Sequence, residues 1–174
     1  MMRRLLRGSV FVLAGCGAGS RPDQADTAPM RDTMTVVGIV KVVGADPLAQ
    51  LIVQAEGGEA TALVGPLQSE LHQTVGLEVR VTGVTADAVP PARTALEVRS
   101  YETVSLNGAA AHTGTLERSG DGYRLVGTTR GWTLVNPPEE LRASVGAKAW
   151  VAGEVSGDTL RVTAYGIIRR AASP

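Results

Sequence analysis

Residues 33 to 170 carry the same pattern twice. Leu63-Val64-Gly65-Pro66 returns as Leu134-Val135-Asn136-Pro137, and Glu70-Leu71 returns as Glu140-Leu141 after a gap of one residue. The correspondence continues from Val75-Gly76 to Val145-Gly146 and from Val81-Thr82-Gly83 to Val151-Ala152-Gly153. It ends with Leu96 to Tyr101 against Leu160 to Tyr165, and upstream Gly38 falls opposite Gly114. So many ordered agreements point to an internal duplication of about 60–70 residues, each copy the size of a small domain.

Each copy reads as three strands, a short helix and two more strands. In the first, residues 34–43 and 49–55 are rich in β-branched side chains and are separated by Gly44-Ala45-Asp46-Pro47. Glu56-Gly57-Gly58-Glu59 then turns the chain into residues 60–64. Pro66 and Pro137 suit a first helical position, with Asn136 as cap and Glu139 placed as in a capping box. Gly65 and Gln68 are the weaker counterparts, and Gly76 and Gly146 are expected to end the helices in the left-handed region. After them Leu77, Val79 and Val81 alternate with Glu78, Arg80 and Thr82, the period-2 pattern of a half-buried strand.

This element order, with the helix between the third and fourth strands, resembles the OB-fold. The resemblance covers residues 33–106 and 111–170 and rests on element order alone; other small five-stranded barrels satisfy it too. The expected architecture is all-β, with one short helix per copy: two tandem five-stranded OB-like barrels behind a disordered tether. The joint Leu106-Asn107-Gly108-Ala109-Ala110 is short enough that the barrels should abut.

Ahead of the repeats, Arg3, Arg4 and Arg7 precede the apolar run Val10-Phe11-Val12-Leu13, the order of an export signal. The run closes on Leu13-Ala14-Gly15-Cys16, which resembles the bacterial lipoprotein lipobox. The resemblance implies removal of residues 1–15 and a lipid on the Cys16 sulfur, hence a membrane-anchored protein of the cell envelope. Gly17 stands where some lipoproteins carry the aspartate of inner-membrane retention. If the host has two membranes, the outer one, facing the periplasm, is therefore expected. Residues 16–32, small, polar and proline-containing, have no apolar periodicity and read as the tether.

Charge and cysteine count narrow the functional classes. The 17 basic and 17 acidic side chains of the whole sequence become 14 against 17 once the signal's three arginines leave, so no basic field steers nucleic acid or anionic headgroups. The single cysteine is the lipidated one, which leaves no thiol for a disulfide, a metal or a nucleophile. His72 and His112 lie in different copies, and no Gly-x-Ser-x-Gly elbow is present. Glu139 and Glu140 are accounted for by a helix start, as is Glu70. No catalytic residue, metal or cofactor is expected.

What remains is binding. OB-folds take ligands across strands two and three, where the second copy offers Tyr123 and Trp132 with Arg124 and Arg130 beside them. These four form a candidate face for an envelope glycan or a small anionic ligand. Trp150 replaces Arg80 on the outward register of the fourth strand, and Tyr165 falls in the same register if no bulge intervenes. That pair is a candidate interface, either with the first barrel or with a partner protein. The expectation is a non-catalytic binding or scaffold module. The alternatives are a glycan or small-anion carrier or sensor, and an accessory subunit of an envelope enzyme.

Overall fold

The computed structural model describes residues 32–88, 90 and 92–171; the signal segment, Cys16 and the tether as far as residue 31 lie outside the described residues. The described residues form one compact unit. Its first half runs β1 (Thr33–Val43), β2 (Gln50–Gln54), β3 (Ala60–Val64), α1 (Gln68–His72), β4 (Glu78–Ala86) and β5 (Thr94–Leu106). The second half runs β6 (Ala109–Ser119), β7 (Gly122–Val126), β8 (Gly131–Val135), α2 (Glu139–Arg142), β9 (Lys148–Ser156) and β10 (Thr159–Arg169). The described residues are all-β with two short helices, as their patterning predicts.

Each half closes on itself. β1 pairs antiparallel with β2 and β4, β2 with β3, and β4 with β5. A parallel β3–β5 pairing, Leu63 opposite Leu96, completes the ring. The second half follows the same order, with β6 between β7 and β9 and a parallel β8–β10 pairing that sets Leu134 opposite Leu160. Inward-facing Val40, Val53, Leu63, Val79, Val81 and Leu96 fill the first ring, and Leu116, Leu125, Leu134, Val151 and Leu160 the second. Leu71 and Leu141, both fully buried, carry the one-turn helices onto these cores.

Rings this small need sharp bends, and matched glycines supply them. A Cβ on Gly38 would run into the Gln54 carbonyl, and one on Gly114 into that of Val126. Likewise Gly83 lies against the Glu97 carbonyl and Gly153 against that of Arg161. In both halves the fifth strand shifts register beside the latter glycine, leaving Arg99 and Thr163 as extra residues. Such bulges sharpen local twist, as a tight ring requires.

The helices begin later than the prolines predict. α1 starts at Gln68 and α2 at Glu139, and neither has a side-chain cap hydrogen bond. Asn136 is not a cap. It takes a positive φ of 55°, in the place where the first half has Gly65 at 100°, and so turns the chain between strand and helix. Gly76 and Gly146 do take the expected positive φ, 89° and 84°, but they lie three residues beyond the C-caps Gln73 and Ala143, and their N–H groups donate to the Val40 and Leu116 carbonyls. A methyl group added at Gly76 would meet nothing within 4 Å, so Gly76→Ala should cost only its backbone strain. That is about 1 kcal/mol, read as a shift in the urea midpoint at unchanged slope.

The joint between the halves is a hairpin rather than a linker. Asn107 and Gly108 both take positive φ, 50° and 84°, the geometry of a two-residue turn. β5 therefore continues into β6 with Ser105 opposite Ala110 and Leu106 opposite Ala109, which assigns residues 109–110 to the second half. Beyond the turn, Ala111 and Ala152 are buried in the first half's cluster, with Trp150 and Ala164 packed against it.

Candidate functional site

Outward-facing alternation delivers Trp150 to the boundary between the halves. It sits opposite Thr113 on β6 and Gly166 on β10, and Gly166 has no side chain to block the indole. The ring is partly buried, and its Nε1–H donates to the Gln73 carbonyl at the end of α1, 3.2 Å away. The first half uses the same cross-strand position for an exposed ion pair, Arg80 with Glu102 at 3.1 Å. Trp150→Arg should therefore leave the second ring folded while costing about 1–2 kcal/mol at the joint. Thermal unfolding together with small-angle scattering would read both effects.

Tyr165 does not join Trp150. The extra residue Thr163 shifts the register, so Tyr165 pairs with inward-facing Val151 and packs on its own half's core. Its hydroxyl donates to Glu140 at 2.6 Å, which raises the phenol's pKa. Tyr101 makes the equivalent bond to Glu70 at 2.9 Å. The Glu–Tyr pair thus occurs in each half, helix to fifth strand, and accounts for glutamates that helix-start chemistry only partly explains.

In the first half this pair is enlarged by the second half. Lys148 donates to Glu70 at 2.5 Å and stands 4.6 Å above the Tyr101 ring, and Arg169 lies 3.7 Å from the same carboxylate. Burial by itself would raise the Glu70 pKa. The hydrogen bonds from Lys148 and Tyr101, with the charges of Lys148 and Arg169, outweigh it and hold the carboxyl below its usual value. Burial and the bond to Glu70 push the Tyr101 phenol strongly upward.

Above this cluster lies a groove of about 500 Å³, walled by Tyr101, Glu102 and Thr103 of β5, His112 to Thr115 of β6, the turn 126–129, Trp132, Lys148 and Arg169. Its volume falls in the usual range of small-molecule sites, about 300–1,000 Å³. His112 and Trp132 stack in its wall, ring centres 4.0 Å apart. The His112 Nε2 and Trp132 Nε1 atoms are buried and have no hydrogen-bond partner among the described residues. Burial first, and then the Arg130 charge, lower the His112 pKa against a smaller opposing pull from Glu102, which keeps the imidazole neutral at pH 7. In the first half the same register positions hold Val36 and Thr61. The ring therefore closes without an aromatic pair at this point.

The four-residue face expected from the sequence divides. Trp132 is opposite Leu125, only 8% exposed, and fills the end of the ring. Arg130 stays close, with its guanidinium 5.9 Å from the indole, but is held by the Gly157 carbonyl at 2.6 Å and Asp158 at 2.7 Å. Arg124 alternates to the outer surface and lies across Gly131. Tyr123 borders a separate shallow depression with Asn136, Pro137 and Arg142, and Arg118 stands 6.0 Å from its ring. Period-2 alternation separates Arg124 from the others, whereas Tyr123 and Trp132 both pack on the second ring's core and border different depressions. The sequence marks His112 only as a histidine apart from His72, and the groove's other wall comes from the first half.

Among the described residues no three His, Cys, Asp or Glu side chains cluster as metal ligands, and no helix is long and apolar enough to cross a membrane. His72 is exposed on α1. Comparison with protein families, with curated proteins and with solved structures finds no match for this chain.

Proposed function

We propose that this protein is a lipid-anchored binding module of the bacterial cell envelope, built from two copies of an OB-like barrel, which holds a small polar ligand in the groove between them and catalyses no reaction. The lipobox-like Leu13-Ala14-Gly15-Cys16 supports the anchor. The identical ring order of the halves, with the helix between third and fourth strands, supports the duplicated barrel. One observation carries the ligand role. The groove's wall is a stacked His112–Trp132 pair with two unpartnered ring nitrogens, at positions where the first half closes the same ring with valine and threonine. Leaving buried polar atoms unpaired costs about 1–3 kcal/mol each, a cost that stability alone does not require.

The anchor has its own test. Cys16→Ser should move the protein to the soluble fraction or leave it unprocessed, because stable attachment needs more than one acyl chain. A mature, membrane-bound Cys16→Ser protein would overturn the lipoprotein reading. The ligand role is tested by Trp132 fluorescence in a Trp150→Phe background during titration with fractionated envelope extract. Saturable quenching, lost in His112→Val, is the expected result. No saturable change with any fraction would overturn the role.

A further inference from the structure

The charges around the groove do not cancel, and the remainder identifies the ligand's chemistry. Lys148 and Arg169 bring two positive charges to a cluster in which Glu70 supplies one negative. Glu102, the acid in the wall, is matched by Arg80, and the nearby Arg130 by Asp158. His112 is neutral at pH 7. One positive charge is left over, and Arg169 carries it. Its side chain is 72% exposed and its contact with Glu70, at 3.7 Å, is too long for a hydrogen bond. Lys148 is held tightly at 2.5 Å, so Arg169 remains the cation able to turn toward a newcomer. The rest of the wall is rich in hydroxyls: Thr113, which shares a 2.9 Å hydrogen bond with buried Thr103, together with Thr115, Thr128 and Thr129. Hydroxyls both donate and accept, which matches a polyol, whereas a guanidinium matches an oxyanion bidentately.

We propose that the groove takes a sugar acid, a hydroxylated body bearing one carboxylate, with Arg169 binding the carboxylate and the threonine hydroxyls the ring. This rests on the groove being a ligand site. The experiment is calorimetric titration of the purified protein with D-glucuronate, its neutral methyl ester, D-glucose and inorganic phosphate. Glucuronate should bind at least about tenfold more tightly than its ester, the difference expected of a charge-assisted contact. Arg169→Gln should erase that preference. Glu102→Gln, at a 67% exposed position that folding does not depend on, should strengthen glucuronate binding about two- to threefold by raising the local positive charge. Equal affinity for glucuronate and its ester, or a preference that survives Arg169→Gln, overturns the oxyanion assignment. Phosphate binding as tightly as glucuronate overturns the sugar body. If none of the four binds while an envelope fraction still quenches Trp132, the sugar-acid inference fails and the binding role stands; if neither occurs, both fail.

Discussion

Gly153→Ala is expected to destabilise the protein by about 3 kcal/mol, the upper part of the range for overpacking a well-filled site. The added methyl would overlap the Arg161 carbonyl, and that atom is backbone in the strand that closes the ring. Neither side can yield by a rotamer change. The bulge at Thr163 fixes the register on one side, and the Glu154–Arg161 pairing fixes it on the other. Gly83→Ala should behave the same way against the Glu97 carbonyl. Gly120→Ala serves as the comparison: its φ of 59° is strained for alanine, but the space around it is open, so the loss should be nearer 1 kcal/mol. Urea unfolding of the three variants reads the ranking. A Gly153→Ala loss no larger than that of Gly120→Ala would show that the close approach does not govern the bend.

Glu70→Ala should cost a similar amount, about 3 kcal/mol, because it strips the partner from Lys148, Tyr101 and Arg169 at once and leaves the half-buried ammonium beside an aromatic face. Glu140→Ala, which breaks only the exposed bond to Tyr165, should barely move the unfolding midpoint. The Glu70 carboxylate also governs acid stability. Its folded pKa lies below the usual 4.5, so its stabilisation is complete above that value and is lost as pH falls through the folded pKa. His112 adds an earlier step. Its folded pKa lies below the usual 6.5, so the unfolded chain binds the proton first, and stability begins to decline as pH drops below 6.5. Thermal unfolding from pH 8 to about pH 3 should show two declines. His112→Val should remove the upper one and Glu70→Gln the lower. A profile unchanged by both variants would mean that neither group couples protonation to folding.

How much of this is legible in the chain depends on whether the determining interaction is local. Strand and helix positions are legible because alternation and glycine placement act within a few residues. Gly76 and Gly146 take their positive φ for that reason, in the turns that follow the helices. The Asn107-Gly108 hairpin is also written in the chain, as the dipeptide that best tolerates two successive positive φ values, although its shortness alone suggests only a linker. The Glu70–Tyr101 and Glu140–Tyr165 bonds leave a trace too, since both residue types recur at matched positions of the two copies. Capping rules misplace Asn136, because a strand-to-helix turn and a cap draw on the same residue types.

The candidate site is not legible, and the reason is geometric. Tyr123, Arg124, Arg130 and Trp132 are close in sequence, yet period-2 alternation turns Arg124 outward, and Tyr123 and Trp132, though packed on the same core, border different depressions. The groove instead joins residues 101–103 to residues 112–115, 148 and 169, and that meeting depends on how the second ring folds back along β6 and β9. A single extra residue, Thr163, decides that Tyr165 packs inward while Trp150 reaches α1. Local chemistry along the chain determines the all-β class, the ring-closing glycines and the duplicated pattern. The tertiary structure alone decides which half of the charge cluster faces which half of the groove, because a one-residue change of register in a strand reverses the side on which its side chains lie.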